Sequence, residues 1–463
     1  MAFDALLERF VKQAPVGVLA RLALQRAVSP QWVDDVFEAT AERQYTRELL
    51  FSQVVELMSL VAVGLRPSLH AAAQATELPV SLAALYEKVK RTEPRLVRAL
   101  VRGSAEHLSP VVASLREGRA QEAWAEGFRV RVVDGNYLPG SQKRVKPLRG
   151  FRGAALPGFS LVVYAPQEGL VVDLVPEEDA YTSERRVVPA VLERAEAGEI
   201  WLADRNFSTR PILFTLSDKG ACFVIREHSV HPNVTPTSGL KRVGRGETGV
   251  VFEQSAEVKD EQERPLALRR VELHLEEPTE EGDTVIALLT NAPQEALSAL
   301  AVASLYKKRW TVEGMFQRLE KALHSEVQTL GQPKAALFAF GCAVVAYNVL
   351  SSIEAAVEAA HPQAKQQGLE VSTYFVALEV NATYGGMLVA LPPEDWAHFD
   401  EESPRQLART LLRVAAHVKP ARLRKHPRGP KKKTKKGYVS GRIARSHVST
   451  ARVLASGRVD KTP

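Results

Sequence analysis

At Gly127 the hydrophobic pattern of this chain changes period, and that change limits the possible folds more than any other feature. Before it, apolar residues recur at helical spacing. Leu49, Leu50, Val54, Val55, Leu57, Met58, Leu60 and Val61 are dense enough for a buried helix. Residues 68–78 and 81–89 predict two shorter helices separated by Pro79, a helix-turn-helix-like pair that fits either DNA binding or a plain helical bundle. After Gly127, the run Phe128-Arg-Val-Arg-Val-Val133 alternates and reads as a strand ending at Asp134-Gly135. Residues 159–164 and 170–175 predict two further strands, and 184–197 a helix. Glu199-Ile-Trp-Leu-Ala203 is a short apolar strand that delivers Asp204, and residues 221–225 form another. Residues 228–282 are rich in Gly, Glu, Arg and alternating Val and Leu, which suits a β-rich insertion. A strand over 284–289, a long helical stretch over 293–326 and a helix over 334–360 follow.

The order is three strands, helix, strand, strand, insertion, strand and long helix. It is what an RNase H-like nuclease core needs. Cleavage of a phosphodiester by two divalent ions requires oxygen ligands around metals about 4 Å apart. Strand ends share one edge of a sheet, so acids that are distant in sequence converge there. Asp134 and Asp204 each follow a buried run and fit this geometry; an aspartate opening a turn after a strand is the plain alternative. Asp173 and Glu177 read as surface acids at a strand end, and His228 and His231 as loop residues.

Residues 306–321 read as one helix. At about 100° per residue, Tyr306, Glu313, Gln317, Glu320 and His324 fall within roughly 60° of one another. Leu305, Val312, Phe316, Leu319 and Leu323 form an apolar stripe beside them. The helix thus anchors in a core and presents an acid among basic and aromatic groups. A solvated amphipathic helix is the competing reading.

Three blocks resemble the DDE transposases of the insertion sequence 4 family. The family's third block is Tyr, two residues, Arg, three residues, Glu, six residues, Lys. Tyr306, Arg309 and Glu313 match in type and spacing. The final position holds Glu320, with Lys321 one step later, so Glu320 competes with Glu313 for the third acid. Val132-Val-Asp-Gly-Asn-Tyr-Leu138 and Leu202-Ala-Asp-Arg-Asn-Phe207 look like the family's first and second aspartate blocks. The resemblance runs from about Tyr45 to the C-terminus. It implies an α/β fold in which an RNase H-like core is interrupted by a β-rich insertion, with an N-terminal helical domain and a helical, basic C-terminal region. It implies Asp134, Asp204 and Glu313 as catalytic ligands of two Mg²⁺ ions, for which Mn²⁺ substitutes. Tyr306, Arg309 and Lys321 would lie on the DNA backbone; Phe207, Phe252 and Trp310 are candidates for stacking on a flipped base. Arg205 is read as a phosphate contact or a partner of a ligand carboxylate. The implied reaction nicks the element's end, forms a hairpin, reopens it and joins it to target DNA. The partners would be double-stranded DNA and, in the DNA complex, a second copy of the chain. The implied location is the cytoplasm, on the bacterial nucleoid.

The net charge of +7 is uneven. Residues 419–463 hold 15 Lys and Arg against one acid, so the other 418 residues carry a net −7. Lys431, Lys432, Lys433, Lys435 and Lys436 are the densest group and predict salt-dependent contact with DNA phosphates. A solubilising tail is the alternative. The two cysteines cannot form a disulfide framework or a four-cysteine zinc site. The N-terminus carries early acids and predicts no signal peptide. No run reaches the roughly 18 uncharged apolar residues of a membrane span; residues 338–350 predict a buried helix. The expected organisation is an N-terminal helical domain (1–125), a first core part (126–227), the insertion (228–282), a second core part (283–360), a helical region (361–418) and a basic, disordered tail (419–463). Two readings compete with transposition: a DNA-binding protein of transposase ancestry that no longer cuts, and an RNase H-like nuclease without strand transfer.

Overall fold

The computed structural model describes residues 5–44, 48–118, 124–143, 145–151, 153–279, 282–309, 311–322, 329–426 and 447–456. The chain opens with helices α1 (Ala5–Gln13), α2 (Pro15–Ala27), α3 (Pro30–Thr40), α4 (Phe51–Ala62), α5 (Leu69–Gln74), α6 (Leu82–Arg91) and α7 (Pro94–Arg116). Ser29, Ser68 and Ser81 cap α3, α5 and α6 by accepting a backbone N–H three residues on. Next come β1 (Arg129–Tyr137), β2 (Ala154–Leu156), β3 (Phe159–Ala165), β4 (Leu170–Glu177), α8 (Glu184–Leu192), β5 (Glu199–Ala203), α9 (Arg210–Asp218) and β6 (Cys222–Arg226). Strands β7 (Thr235–Pro236), β8 (Lys241–Arg245), β9 (Gly249–Lys259), β10 (Pro265–Leu275) and β11 (Val285–Thr290) precede α10 (Ala299–Lys308), α11 (Thr311–Ala322) and α12 (Pro333–Ala360). The chain ends with α13 (Pro362–Gln366), α14 (Thr373–Ala390), α15 (Pro404–Ala415), β12 (His447–Ser449) and α16 (Thr450–Ser456).

The main sheet is mixed, in the order β4-β3-β1-β5-β6-β11-β10-β9-β7, with β8 also on β9. Strand β1 runs parallel to β5, and β5 parallel to β6; β3, β4 and β9 to β11 pair antiparallel. Alternation along the strands fills two cores. Val130, Val132, Ile200, Leu202 and Val224 face one shared with α7 and α12. Val133, Trp201, Ala203, Phe223 and Ile225 face another, closed by α8 and α9.

Within residues 228–282, β9 and β10 continue the main sheet through β11. The boundary at 125 is not a packing boundary. One hydrophobic cluster runs from Leu7 in α1 to Leu423, and Arg98 and Arg102 of α7 both pair with Asp173 on β4. Helix α12 explains this. It is apolar along 28 residues, and although long and apolar enough to cross a membrane, its apolar window is entirely buried inside the protein. A helix hydrophobic all round needs partners all round, and α2, α4, α6, α7, α14 and α15 supply them. The Asn348 amide of α12 donates to the Val171 carbonyl and accepts from its N–H, which covers part of the edge strand β4.

The tail expected from 419 is ordered in two places. Residues 420–423 form a 3₁₀ turn, and Arg424 bridges to Val371. Further on, β12 pairs parallel with β2, and Ser449 and Arg452 bond to Asp179. The five lysines between 431 and 436 lie outside the described residues.

Candidate active site

The register of the three parallel strands sets two acids side by side. Val132 pairs with Leu202, so Asp134 and Asp204, two residues on, occupy matching positions on β1 and β5. Neighbouring strands are about 4.8 Å apart. Both residues continue the alternation of Val130–Val132 and Ile200–Leu202, and they stand where that face runs out of apolar side chains. Strand β1 does not stop at Asp134 as expected; it continues to Tyr137, because Asp134 to Tyr137 pair with β3. Asp204 closes β5 and caps a short 3₁₀ turn, accepting the Asn206 N–H at 2.8 Å.

The segment carrying Tyr306, Arg309 and Glu313 lies over this edge, but not as one helix. Helix α10 ends at Lys308 and α11 begins at Thr311. The helical wheel drawn through 306–324 therefore does not apply. Its start was also misplaced: Ser298 caps α10, accepting the Ala301 N–H, so residues 293–298 lie outside it. The break lets Arg309 turn inward. It is only 8% exposed, and its Nη1 lies 3.3 Å from Asp134 Oδ2. Its guanidinium sits 5.7 Å from the centre of the buried Tyr306 ring, and its Nε finds no acceptor among the described residues. Burial opposes the Arg309 charge, yet Tyr306, Asp134, Asp204 and Glu313 hold its pKa above the ordinary guanidinium value. Glu313 is exposed in the first turn of α11.

Electrostatics at this edge are strained toward protonation. Burial pushes the Asp134 carboxyl up to about 6; Arg309 resists, and Asp204 and Glu184 add to the push. Glu184 was read only as the start of a helix. It stands at the first turn of α8, accepts from the Asn206 amide, and is itself raised by burial, with Asp204 adding to the rise. Gly135 makes room for it: a Cβ there would lie 1.9 Å from Glu184 Oε1. The glycine directly after Asp134 was the available signal.

A second overlooked residue is Arg226. Ala203 pairs with Ile225, so Asp204 and Arg226 match on β5 and β6. The signal was the charged residue ending the run 221–225, as Asp204 ends 199–203.

Other candidates are placed elsewhere. Phe207 is fully buried, and Phe252 packs its ring 4.5 Å from that of His274. Asp173 is taken up by Arg98 and Arg102, and Glu177 accepts the Asp179 N–H. The His228 and His231 rings stack on each other at 5.9 Å. The charge of Arg205 acts on Asp283. Trp310 and the side chains of Glu320 and Lys321 lie outside the described residues. Among the described residues, no three His, Cys, Asp or Glu are grouped to hold a metal ion. At this edge the Arg309 guanidinium sits among Asp134, Asp204 and Glu313.

Residues 126–349, from just before β1 into α12, match the family model described as the transposase DDE domain. No curated protein matches the chain. The matched segment contains β1, β5, the extension of the sheet and α10 to α11, and so spans every residue at this edge. The match suggests transposase activity for it.

Proposed function

We propose that the chain is a DDE transposase of the insertion sequence 4 type, and that its core is RNase H-like with β7 to β10 as the family's insertion. The observation that carries this reading is the pairing of Asp134 and Asp204 on adjacent parallel strands, with Tyr306 and Arg309 packed over them and Glu313 one turn beyond. The strand order β4-β3-β1-β5-β6, with only β3 reversed, supports the RNase H-like reading.

The donor set fits hard divalent cations. Carboxylate oxygens are their usual ligands, and a buried guanidinium held by the same acids marks a place where positive charge is favoured. Asp134, Asp204 and Glu313 would hold two Mg²⁺ ions, or Mn²⁺ in their place. Ions held there would supply Lewis acidity for the attacking water or 3′-hydroxyl and for the leaving oxygen. Arg309, held between Asp134 and the Tyr306 ring, would offer its guanidinium to a DNA phosphate that reaches this edge. Lys321 and Lys431 to Lys436 add point charges along the backbone. The element ends are cut and joined through a hairpin, by two copies of the chain on double-stranded DNA, in the bacterial cytoplasm.

The test uses purified full-length chain, Mg²⁺ and a duplex that carries the inverted repeats flanking the gene. Release of the flank with hairpin ends supports the reading. Tight binding without cleavage would replace it with a DNA-binding protein that has lost catalysis. Cleavage without joining would replace it with a nuclease.

A further inference from the structure

Asp134, Asp204 and Arg226 form a row across β1, β5 and β6, because the two parallel pairings hold the same register. Two members are acids; the third is a guanidinium at the carboxyl end of β6. Arg226 is 19% exposed and donates from Nη2 to Asp283 Oδ2 at 2.6 Å. Asp283 lies in the turn between β10 and β11. Its backbone is fixed by Thr279, whose hydroxyl accepts the Asp283 N–H and whose N–H donates to the Asp283 carbonyl. Arg226 first, and Arg205 behind it, hold the Asp283 carboxyl below the usual carboxylate range. The charge of Arg226 also reaches the Tyr306 phenol.

A carboxylate on an arginine fork has the shape and charge of one face of a phosphate. The loop of the sheet extension thus lays an acid on an arginine that stands one strand from Asp204. We propose that Arg226, with Arg205 beside it, is a second DNA-phosphate contact at the candidate active site, and that Asp283 occupies it until DNA displaces it. The inference rests on the reading of the chain as a DNA-cutting enzyme. It adds a contact on the β6 side of Asp204. Asp283 then acts as an internal competitor that weakens contact with DNA not seated against β6.

The test is fluorescence anisotropy of a labelled duplex DNA with full-length chain in EDTA, over a series of salt concentrations. Arg226→Ala is expected to weaken binding about three- to tenfold and to lower the slope of log affinity against log salt by about one, the value for one phosphate contact. Asp283→Asn keeps the backbone bonds to Thr279 and is expected to tighten binding by a similar factor and steepen the slope. In the double variant, that gain disappears. If Arg226→Ala does not fold, Asp283→Asn decides alone. Unchanged affinity and slope for Asp283→Asn would overturn the inference and leave the DNA reading standing. A wild-type chain that binds no duplex would overturn both.

Discussion

Strand β5 begins with Glu199 and is followed directly by Asp204, and these two acids live under opposite conditions. Glu199 is 5% exposed at its side chain and accepts from Arg131, from the Trp201 indole and from the Glu196 N–H. Asp173 on β4, which lines the same cavity as Glu199, receives four hydrogen bonds from Arg98 and Arg102; burial opposes its charge, but the two forks keep its pKa below the usual range. That cavity of about 450 Å³ opens among these groups, yet its acids are matched by arginines, and Glu199 in its lining begins the strand that Asp204 follows. At the carboxyl ends, Asp134, Asp204 and Glu313 share Arg309, Glu184 stands behind them on the Asn206 amide, and Asp134 rises to about 6. One end spends its charges holding α7 to the sheet. The other leaves negative charge under-compensated, which is a state that a cation relieves.

The largest expected effect lies at the under-compensated end. Asp134→Ala or Asp204→Ala is expected to slow strand nicking by a thousandfold or more, about 4 kcal/mol in barrier, with duplex binding retained in a gel-shift assay. Glu313→Ala should do the same. Normal nicking by Glu313→Ala and none by Glu320→Ala would move the third acid to Glu320.

The matched end should fail in stability instead. Asp173→Ala strands two guanidiniums against the sheet and is expected to cost about 3–5 kcal/mol in urea unfolding. Asp134 behaves in the opposite sense. Its folded pKa of about 6 lies above the unfolded carboxylate value of about 3.9. The folded chain therefore takes up this proton first as pH falls. The cost of the charge is full above about pH 6 and absent below the unfolded value. Asp134→Asn should thus raise stability by about 1 kcal/mol near pH 8 in EDTA, and leave it unchanged near pH 4. A loss near pH 8 comparable to that of Asp173→Ala would erase the contrast between the two ends.

Proton and cation compete for the same oxygens. The rise in melting temperature on adding Mn²⁺ should therefore shrink as pH falls through about 6 and vanish in Asp204→Ala. A shift that is constant down to about pH 5 would place the ion elsewhere. The smallest effect on chemistry is expected from replacing Lys431, Lys432, Lys433, Lys435 and Lys436 with Gln. The salt slope of duplex binding should fall by as much as about four, while nicking of duplex already bound continues. An unchanged slope would remove these lysines from the DNA contact.

The acids of the site were legible because they end apolar runs, and a run that alternates at period two delivers its last residue to a known face. Tyr306, Arg309 and Glu313 were legible as a spacing, but the break between α10 and α11 was not. Nothing in the sequence around Arg309 forbids helix, and its partner Asp134 is 175 residues away. Glu184 and Arg226 were hidden for a related reason. Each matters only through the strand or loop beside it, and register between strands is not written locally. The continuity of β9 to β11 with β6 was hidden likewise, since alternation gives a strand its faces but not its neighbours.

The docking of β12 on β2 has a mechanical consequence. Arg424 is bridged to Val371 on one side of residues 427–446, and His447 joins β2 on the other. Both ends of the lysine-rich stretch are therefore tethered to the body of the protein. Residues 447–456 keep their place through β2 and Asp179, whatever path the chain takes to reach them.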